Sequence, residues 1–164
     1  MSERVGIAET YSNTLYLGHT AARWWAHERI LVGGSLLSVE DWAHLQTAYG
    51  CTHIVNVETE HSDEGKGTPL VEARVPDDGS PIPVEKFLAV YRFAQGRRPG
   101  DVFYVHCQQG GSRSPAFAYF LMRALFGLSS SDALARIRVG KEGYGDHVYH
   151  RTYMASADAA LASL

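Results

Sequence analysis

The residues best suited to chemistry lie in one short run, His106-Cys107-Gln108-Gln109-Gly110-Gly111-Ser112-Arg113-Ser114. An uninterrupted apolar stretch, Val102 to Val105, precedes it with the pattern of a strand covered on both faces, and an apolar segment of helical length, Ser114 to about Phe126, follows. A strand that turns directly into a helix leaves the first N–H groups of that helix unpaired and aimed into the turn, where the helix dipole also favours negative charge. Such a turn binds an anion. Gly110 and Gly111 remove the side chains that would hold the backbone off a phosphate, and they allow the left-handed dihedrals that a nest of N–H groups requires. Gln108, Gln109 and Ser112 are neutral, so the cation is Arg113, whose planar fork grips two phosphate oxygens at once. The same N–H groups, dipole and guanidinium favour the thiolate of Cys107 at the centre of the ring, and make it a nucleophile aimed at phosphorus.

The pattern H-C-x-x-G-x-x-R-S after a buried strand resembles the active-site loop of the cysteine-based protein tyrosine phosphatases. The run GGSRSPAFAYFLM is most similar to the dual-specificity branch, where a serine, a proline and a small-residue helix ending near Leu-Met commonly follow the arginine. Its position, about two-thirds along the chain, is unlike the low-molecular-weight phosphatases, and Gly110 is unlike the rhodanese-like type. The resemblance implies a single α/β domain, with a central, mostly parallel sheet flanked by helices and a phosphate-binding loop between strand and helix. It also implies that Gln108, Gln109, Gly110, Gly111, Ser112 and Arg113 hold the phosphate, that Ser114 hydrogen-bonds the departing thiolate, and that His106 fixes the cysteine from behind.

A leaving oxygen needs an acid on a loop at the rim of the sheet. Asp77-Asp78-Gly79 resembles an Asp-Asp-Gly that some dual-specificity relatives, including the phosphatases of regenerating liver, carry shortly before a proline, with the aspartate next to glycine as the acid. Carried over, Asp78 is the general acid and Asp77 the runner-up, although Asp-Gly by itself is also simply a good turn. The implied mechanism has two steps through a phosphocysteine and calls for no metal or other cofactor. The expected substrate is a phosphomonoester: phosphotyrosine, with phosphoserine and phosphothreonine, in proteins. The alternatives are RNA 5' ends, inositol phosphates or phosphosugars, and, in a different class, a module that binds phosphopeptides without cleaving them. A loop without lysines weakens the inositide reading.

At 164 residues, 45% of them hydrophobic, the chain suits one domain with a substantial core. A net charge of −3 gives no general attraction to nucleic acid or to anionic membranes, so an anionic substrate must be caught locally. No apolar run approaches the roughly 18 residues of a membrane span. Met1 to Tyr11 lacks the basic start and apolar core of a signal peptide. A cytoplasmic monomer is expected, acting on a phosphorylated protein or small phosphomonoester, with no nucleic-acid or membrane partner. Its two cysteines read as thiols.

The positioning elements follow from periodicity and punctuation. Residues 1–28 read as an N-terminal extension packing on a catalytic domain of residues 29–164. Met1 to Asn13 reads as a mobile start and Thr14 to Leu17 as short strand. Ala21 to Glu28 reads as a helical turn or loop whose Trp24 and Trp25 serve packing or, alternatively, wall the phosphate pocket. Ile30 to Val32 is a strand stopped by Gly33-Gly34. Ser38 to Asp41 has capping-box spacing and opens a helix carrying Trp42, Leu45 and Tyr49 to Gly50. Thr52 to Val57 is the next strand, and strand, helix, strand implies a parallel crossover. By the resemblance, Asn56 holds neighbouring loops. Glu58 to Pro69 reads as a solvated acidic loop, with His61 and Asp63 not taken as metal ligands. Leu70 to Val75 is an outer strand, 76–81 an exposed turn, and Val84 to Gln95 a helix. Ser129 to Asp132 repeats the capping-box spacing before a short helix through Arg138. A turn at 140–145 leads to a last helix capped by Asp146 and carrying Val148, Thr152, Tyr153, Ala157 and Leu161; His147 and His150 are not taken as metal ligands. Cys51 begins a strand of about six residues, which at ~3.3 Å each places it roughly 20 Å from the active-site edge. That exceeds the about 7 Å between Cα atoms a disulfide tolerates, so Cys51 is expected to be a buried structural thiol.

Overall fold

The computed structural model describes residues 4–140 and 150–164. Asp146, His147, Val148 and most of the expected 140–145 turn lie outside the described residues. Four strands run parallel: β3 (Ile30–Gly33), β4 (His53–Asn56), β5 (Leu70–Glu72) and β6 (Phe103–His106). Helix α1 (Val39–Tyr49) carries the chain from β3 to β4, and α2 (Val84–Gln95) carries it from β5 to β6. The crossover through α1 skips one place in the sheet, and β6 fills it, paired with β3 on one side and β4 on the other.

Residues 6–13 and 19–27 are strands of this sheet, where a mobile start and a helical turn or loop were expected, and Thr14 to Leu17, expected as a short strand, is the turn that joins them. β1 (Gly6–Asn13) and β2 (His19–His27) form an antiparallel hairpin added to β3, giving the order β1-β2-β3-β6-β4-β5. In a strand, neighbouring side chains point to opposite faces. Trp24 therefore enters the core on one side and Trp25 the core on the other. With both faces covered, apolar residues sit side by side and the alternation that would mark a strand vanishes. The tryptophans serve packing, and neither lines the cavity at Cys107.

The two cores fix the layers. On one face, Trp42 and Leu45 of α1 pack on Trp25, Leu31, Ile54 and Tyr104. On the other, α2, α3 (Arg113–Ala124), α4 (Ser130–Gly140) and α5 (Arg151–Ala162) cover Trp24, Val32, Val55 and Val105. Helix α3 is buried on every side from Arg113 to Met122, as its apolar sequence requires. Ser38 Oγ accepts from the Asp41 amide and Gly50 closes α1 in the left-handed region, while Ser129 Oγ accepts from the Asp132 amide at the start of α4. Helix α5 begins at Arg151, with His150 as its N-cap accepting from the Tyr153 amide. Cys51 and Cys107 are both free and buried, and lie beyond opposite ends of the paired strands β4 and β6. Burial pushes the Cys51 thiol up to about 12.

The loop after β6 touches the end of β3 backbone to backbone. A Cβ on Gly110 would stand 2.5 Å from the Gly33 carbonyl carbon, and one on Gly34 would stand 2.8 Å from the Gln108 carbonyl oxygen. Gly110 also has φ +82°, which a side chain resists. Gly111 has open space where its Cβ would be. Gly110→Ala should therefore lose about 3 kcal/mol of unfolding free energy, from overpacking and left-handed strain together. Gly111→Ala should lose less than about 1 kcal/mol. Denaturant titration of the two variants checks this; equal stabilities would contradict the close approach.

Candidate active site

The end of β6 delivers His106, the N-terminus of α3 receives Arg113, and residues 107–112 loop between them. Cys107, Gln108, Gln109, Gly111, Ser112 and Arg113 line a cavity of about 510 Å³, and Gly110 packs behind it against β3. The Gly110 amide donates to Cys107 Sγ at 3.3 Å, and Ser114 Oγ lies 3.2 Å from the same sulfur. Both contacts suit a sulfur that carries negative charge. Ser112 occupies the N-cap of α3 without capping it; its hydroxyl donates instead to Asp77 Oδ1 at 3.4 Å.

Arg113 is buried, and most of its fork is already engaged. Nη1 donates to the Val75 carbonyl at 2.7 Å, and Nη2 donates to Glu60 Oε1 at 2.8 Å. Nε is buried and has no hydrogen-bond partner among the described residues. A buried donor without an acceptor is costly. Burial raises the Glu60 carboxyl, but the hydrogen bond and charge of Arg113 outweigh it and hold the group below its ordinary value.

Behind the loop sits a buried ion pair that the sequence did not reveal. His106 is fully buried, with Nε2 against Asp63 Oδ2 and Nδ1 3.2 Å from the Cys107 carbonyl oxygen. Both ring nitrogens thus face acceptors, which is the arrangement of an imidazolium. Burial alone would lower the His106 value, but Asp63 and then Glu58 outweigh it, and the net shift is upward. Burial raises Asp63 in turn, and His106 together with Lys66, whose Nζ is 3.0 Å from Oδ1, reverse this to a net lowering. Glu58 is held by the Ser35 hydroxyl, and burial pushes its carboxyl up.

The segment after β4 is a loop and largely exposed, as expected, but the expectation is corrected at Glu58 and Asp63, which are buried. Asn56 organises the turn, accepting from the Glu58 amide and donating to the His61 carbonyl and to Glu72, and so directs Glu58 and Asp63 inward. Charge in the sequence signalled solvent; the partner His106, 43 positions away, decided otherwise.

The two aspartates separate. Asp77 lines the cavity, and its Oδ1 accepts from Tyr153 OH at 2.9 Å. Asp78, expected as the acid, is fully exposed and folds its Oδ1 back onto the Ser80 amide at 2.9 Å, which lowers its carboxyl. Tyr16, from the tip of the β1–β2 hairpin, and His150 and Arg151, from the start of α5, complete the rim. The sequence singled out neither Tyr16 nor Arg151 for a site, and His150 only as a metal ligand not taken up. Among the described residues, no group of three or more potential ligands is placed to hold a metal, and no helix is long and apolar enough to cross a membrane.

No protein-family model and no curated protein matches the sequence. Solved structures do match. Tk-PTP in its active form superposes over 87% of this chain and 97% of its own, with a TM-score of 0.64 at 21% identity. Human DUSP28 covers 86% of this chain and 93% of its own, with a TM-score of 0.64 at 18% identity. PTPMT1 covers 87% and 99%, with a TM-score of 0.58 at 15% identity. The chain therefore has the fold of the cysteine-based protein tyrosine phosphatases and dual-specificity phosphatases.

The buried pair behind the loop has a pH signature. The raised His106 value contributes stability that is present below histidine's unfolded value of about 6.5 and is lost as pH rises through the folded value. The lowered Asp63 value contributes stability that is present above about 3.9 and is lost as pH falls through the folded value. Asp63→Asn should therefore cost about 3 kcal/mol near pH 6, and less as pH rises through the elevated histidine value. Guanidinium titrations at pH 6 and pH 9 measure the difference; a deficit that is the same at both would contradict an ionised pair.

Proposed function

We propose that this protein hydrolyses phosphomonoesters, with phosphotyrosine in proteins as the substrate class, by way of a phosphocysteine on Cys107. The observation that carries this reading is the cavity lined by both Cys107 and Arg113, with the Cys107 sulfur held from behind by the Gly110 amide and beside the Ser114 hydroxyl. In the first step Sγ attacks phosphorus, an S–P bond forms and the ester P–O bond breaks. The loop amides and Arg113 hold the three peripheral oxygens, and a carboxylic acid gives its proton to the leaving oxygen. In the second step the same carboxylate takes a proton from water as the water oxygen attacks phosphorus and the S–P bond breaks. Ser114 then hydrogen-bonds the released sulfur. Glu60 and the Val75 carbonyl orient Arg113, and the His106–Asp63 pair braces the loop from behind.

We assign the acid to Asp77 rather than Asp78. Asp77 lines the cavity and is held by Tyr153, whereas the Asp78 carboxylate is turned to the Ser80 amide. Tyr16 gives the rim an aromatic wall beside the phosphate loop, which suits an aryl ester, and Arg151 adds a cation that suits acidic flanking residues. PTPMT1 has been crystallised with PI(5)P. In this chain the loop side chains Gln108, Gln109 and Ser112 bring no cation for so highly charged a headgroup.

Phenyl phosphate should be turned over without added metal, and both Cys107→Ser and Arg113→Ala should abolish this. Undiminished turnover in Cys107→Ser, or loss of activity on chelation, would sink the mechanism. Asp77→Asn should lose about 10² or more on phenyl phosphate and far less on 2,4-dinitrophenyl phosphate, whose leaving group needs no proton. Asp78→Asn should stay close to wild type on both. Kinetics on the ester pair decide, and reversed behaviour of the two variants would move the acid to Asp78.

A further inference from the structure

The acid loop is fastened to α5. Tyr153 is completely buried, yet its hydroxyl ends at the loop: it donates to Asp77 Oδ1 at 2.9 Å and accepts from the Gly79 amide at 3.0 Å. One turn further along the same helix face, Ser156 Oγ accepts from the Ile82 amide at 2.9 Å. Two side chains three apart thus hold the loop at both ends of its turn, and the ring of His150 stacks on Tyr153 at 3.8 Å. Asp77 Oδ1 also accepts from the Ser112 hydroxyl, at 3.4 Å.

We propose that Tyr153 is a positioning residue for proton transfer, holding Asp77 so that its second oxygen carries the proton toward the leaving group. The proposal rests on the assignment of Asp77 as the acid. A carboxylic acid carries its proton on one oxygen only. Oδ1 accepts from two hydroxyls, Tyr153 and Ser112, so the proton resides on Oδ2. When the ester P–O bond breaks, that proton passes from Oδ2 to the leaving oxygen, and the resulting carboxylate keeps both donors on Oδ1. A hydrogen bond to the ionised form is stronger than one to the neutral form, so Tyr153 also favours the charge that develops on Asp77 in the transition state. Tyr153 touches neither substrate nor sulfur; it works through Asp77 alone. Helix α5, docked on α2 and α3, supplies the anchors of the loop. The burial of Tyr153 and its hydrogen bond to Asp77 keep its hydroxyl above the ordinary tyrosine value, so the donor keeps its proton.

The test compares kcat/KM on two esters in four proteins: wild type, Tyr153→Phe, Asp77→Asn and the double variant. Tyr153→Phe should fall about ten-fold on phenyl phosphate, the worth of one ordinary hydrogen bond, and less than about two-fold on 2,4-dinitrophenyl phosphate. Placed on Asp77→Asn, it should add no further loss, because the two residues act as one unit. An equal fall on both esters, including one caused by misfolding, would overturn the proposal, as would a full ten-fold loss retained in the Asp77→Asn background. If Asp77→Asn itself shows no dependence on the leaving group, the assignment of the acid fails. If Asp77→Asn shows that dependence and Tyr153→Phe does not, only the role of Tyr153 fails.

Discussion

The loop after β6 must meet the end of β3 with nothing between the two backbones, and the surrounding structure is arranged to make that contact possible. Gly34 and Gly110 supply the room, and Gly33 leaves space for the side chains of Tyr104 and Arg23. The vacated space is closed by hydrogen bonds instead of side-chain packing: the Ser35 amide and Asn13 Nδ2 both donate to the Gln108 carbonyl, at 3.0 and 2.7 Å. Tyr104, inside β6, donates to the Gly34 carbonyl at 2.6 Å, and Tyr11 donates to the Ser35 carbonyl at 3.0 Å. A backbone buried in this way has to satisfy every N–H and C=O. The β1–β2 hairpin is accordingly part of the foundation of the site, since Tyr11 and Asn13 both come from β1.

Charged groups do most of the remaining fastening. Arg23 is 1% exposed and lies over the Tyr11 ring, with its guanidinium on Glu9 at 2.7 Å and Asp41 at 2.6 Å. It joins the hairpin to the start of α1. Arg113–Glu60 and His106–Asp63 do the same for the phosphate loop and the segment after β4. The Coulomb energy of such pairs roughly offsets their desolvation, so they add little net stability beside apolar residues of the same volume. Breaking one, however, strands a buried charge at a cost of about 3–5 kcal/mol. Their effect is to make one arrangement of loops far better than its neighbours. Holding the Cys107 sulfur, the Arg113 guanidinium and the Asp77 carboxyl at one cavity depends on that selectivity more than on bulk stability.

What could be read from the sequence divides along the same line. Helix α1 was legible because a cap, a glycine stop and a 3.6-residue repeat are local, α2 was legible from its repeat alone, and β6 with its loop was legible because strand, glycines, arginine and helix follow one another within about twenty residues. The loop's contact with β3 was not legible: Gly33-Gly34 reads as a strand stop whether or not another backbone rests on it. The hairpin failed for a different reason. Trp24 and Trp25 face two cores, and a strand buried on both sides loses its alternation. Glu58 and Asp63 failed because charge predicts solvent unless a partner is known, and theirs, His106, is distant in sequence.

The two aspartates show how far a local motif reaches. Asp77-Asp78-Gly79 identifies a turn with a carboxylate at its tip, and Gly79 at φ 78° is the residue that lets the chain reverse there. The turn itself claims one of the pair, because an aspartate side chain readily bonds the amide two residues on, and Asp78 does this with Ser80. What remains for Asp77 is set by a tyrosine 76 positions later, on a helix whose docking depends on the fold as a whole. The motif therefore identifies the turn, and the tertiary structure decides which of its carboxylates lines the cavity. The same holds for the rim, where Tyr16 and Arg151 come from opposite ends of the chain and reach the cavity only because the hairpin and α5 are both anchored beside it.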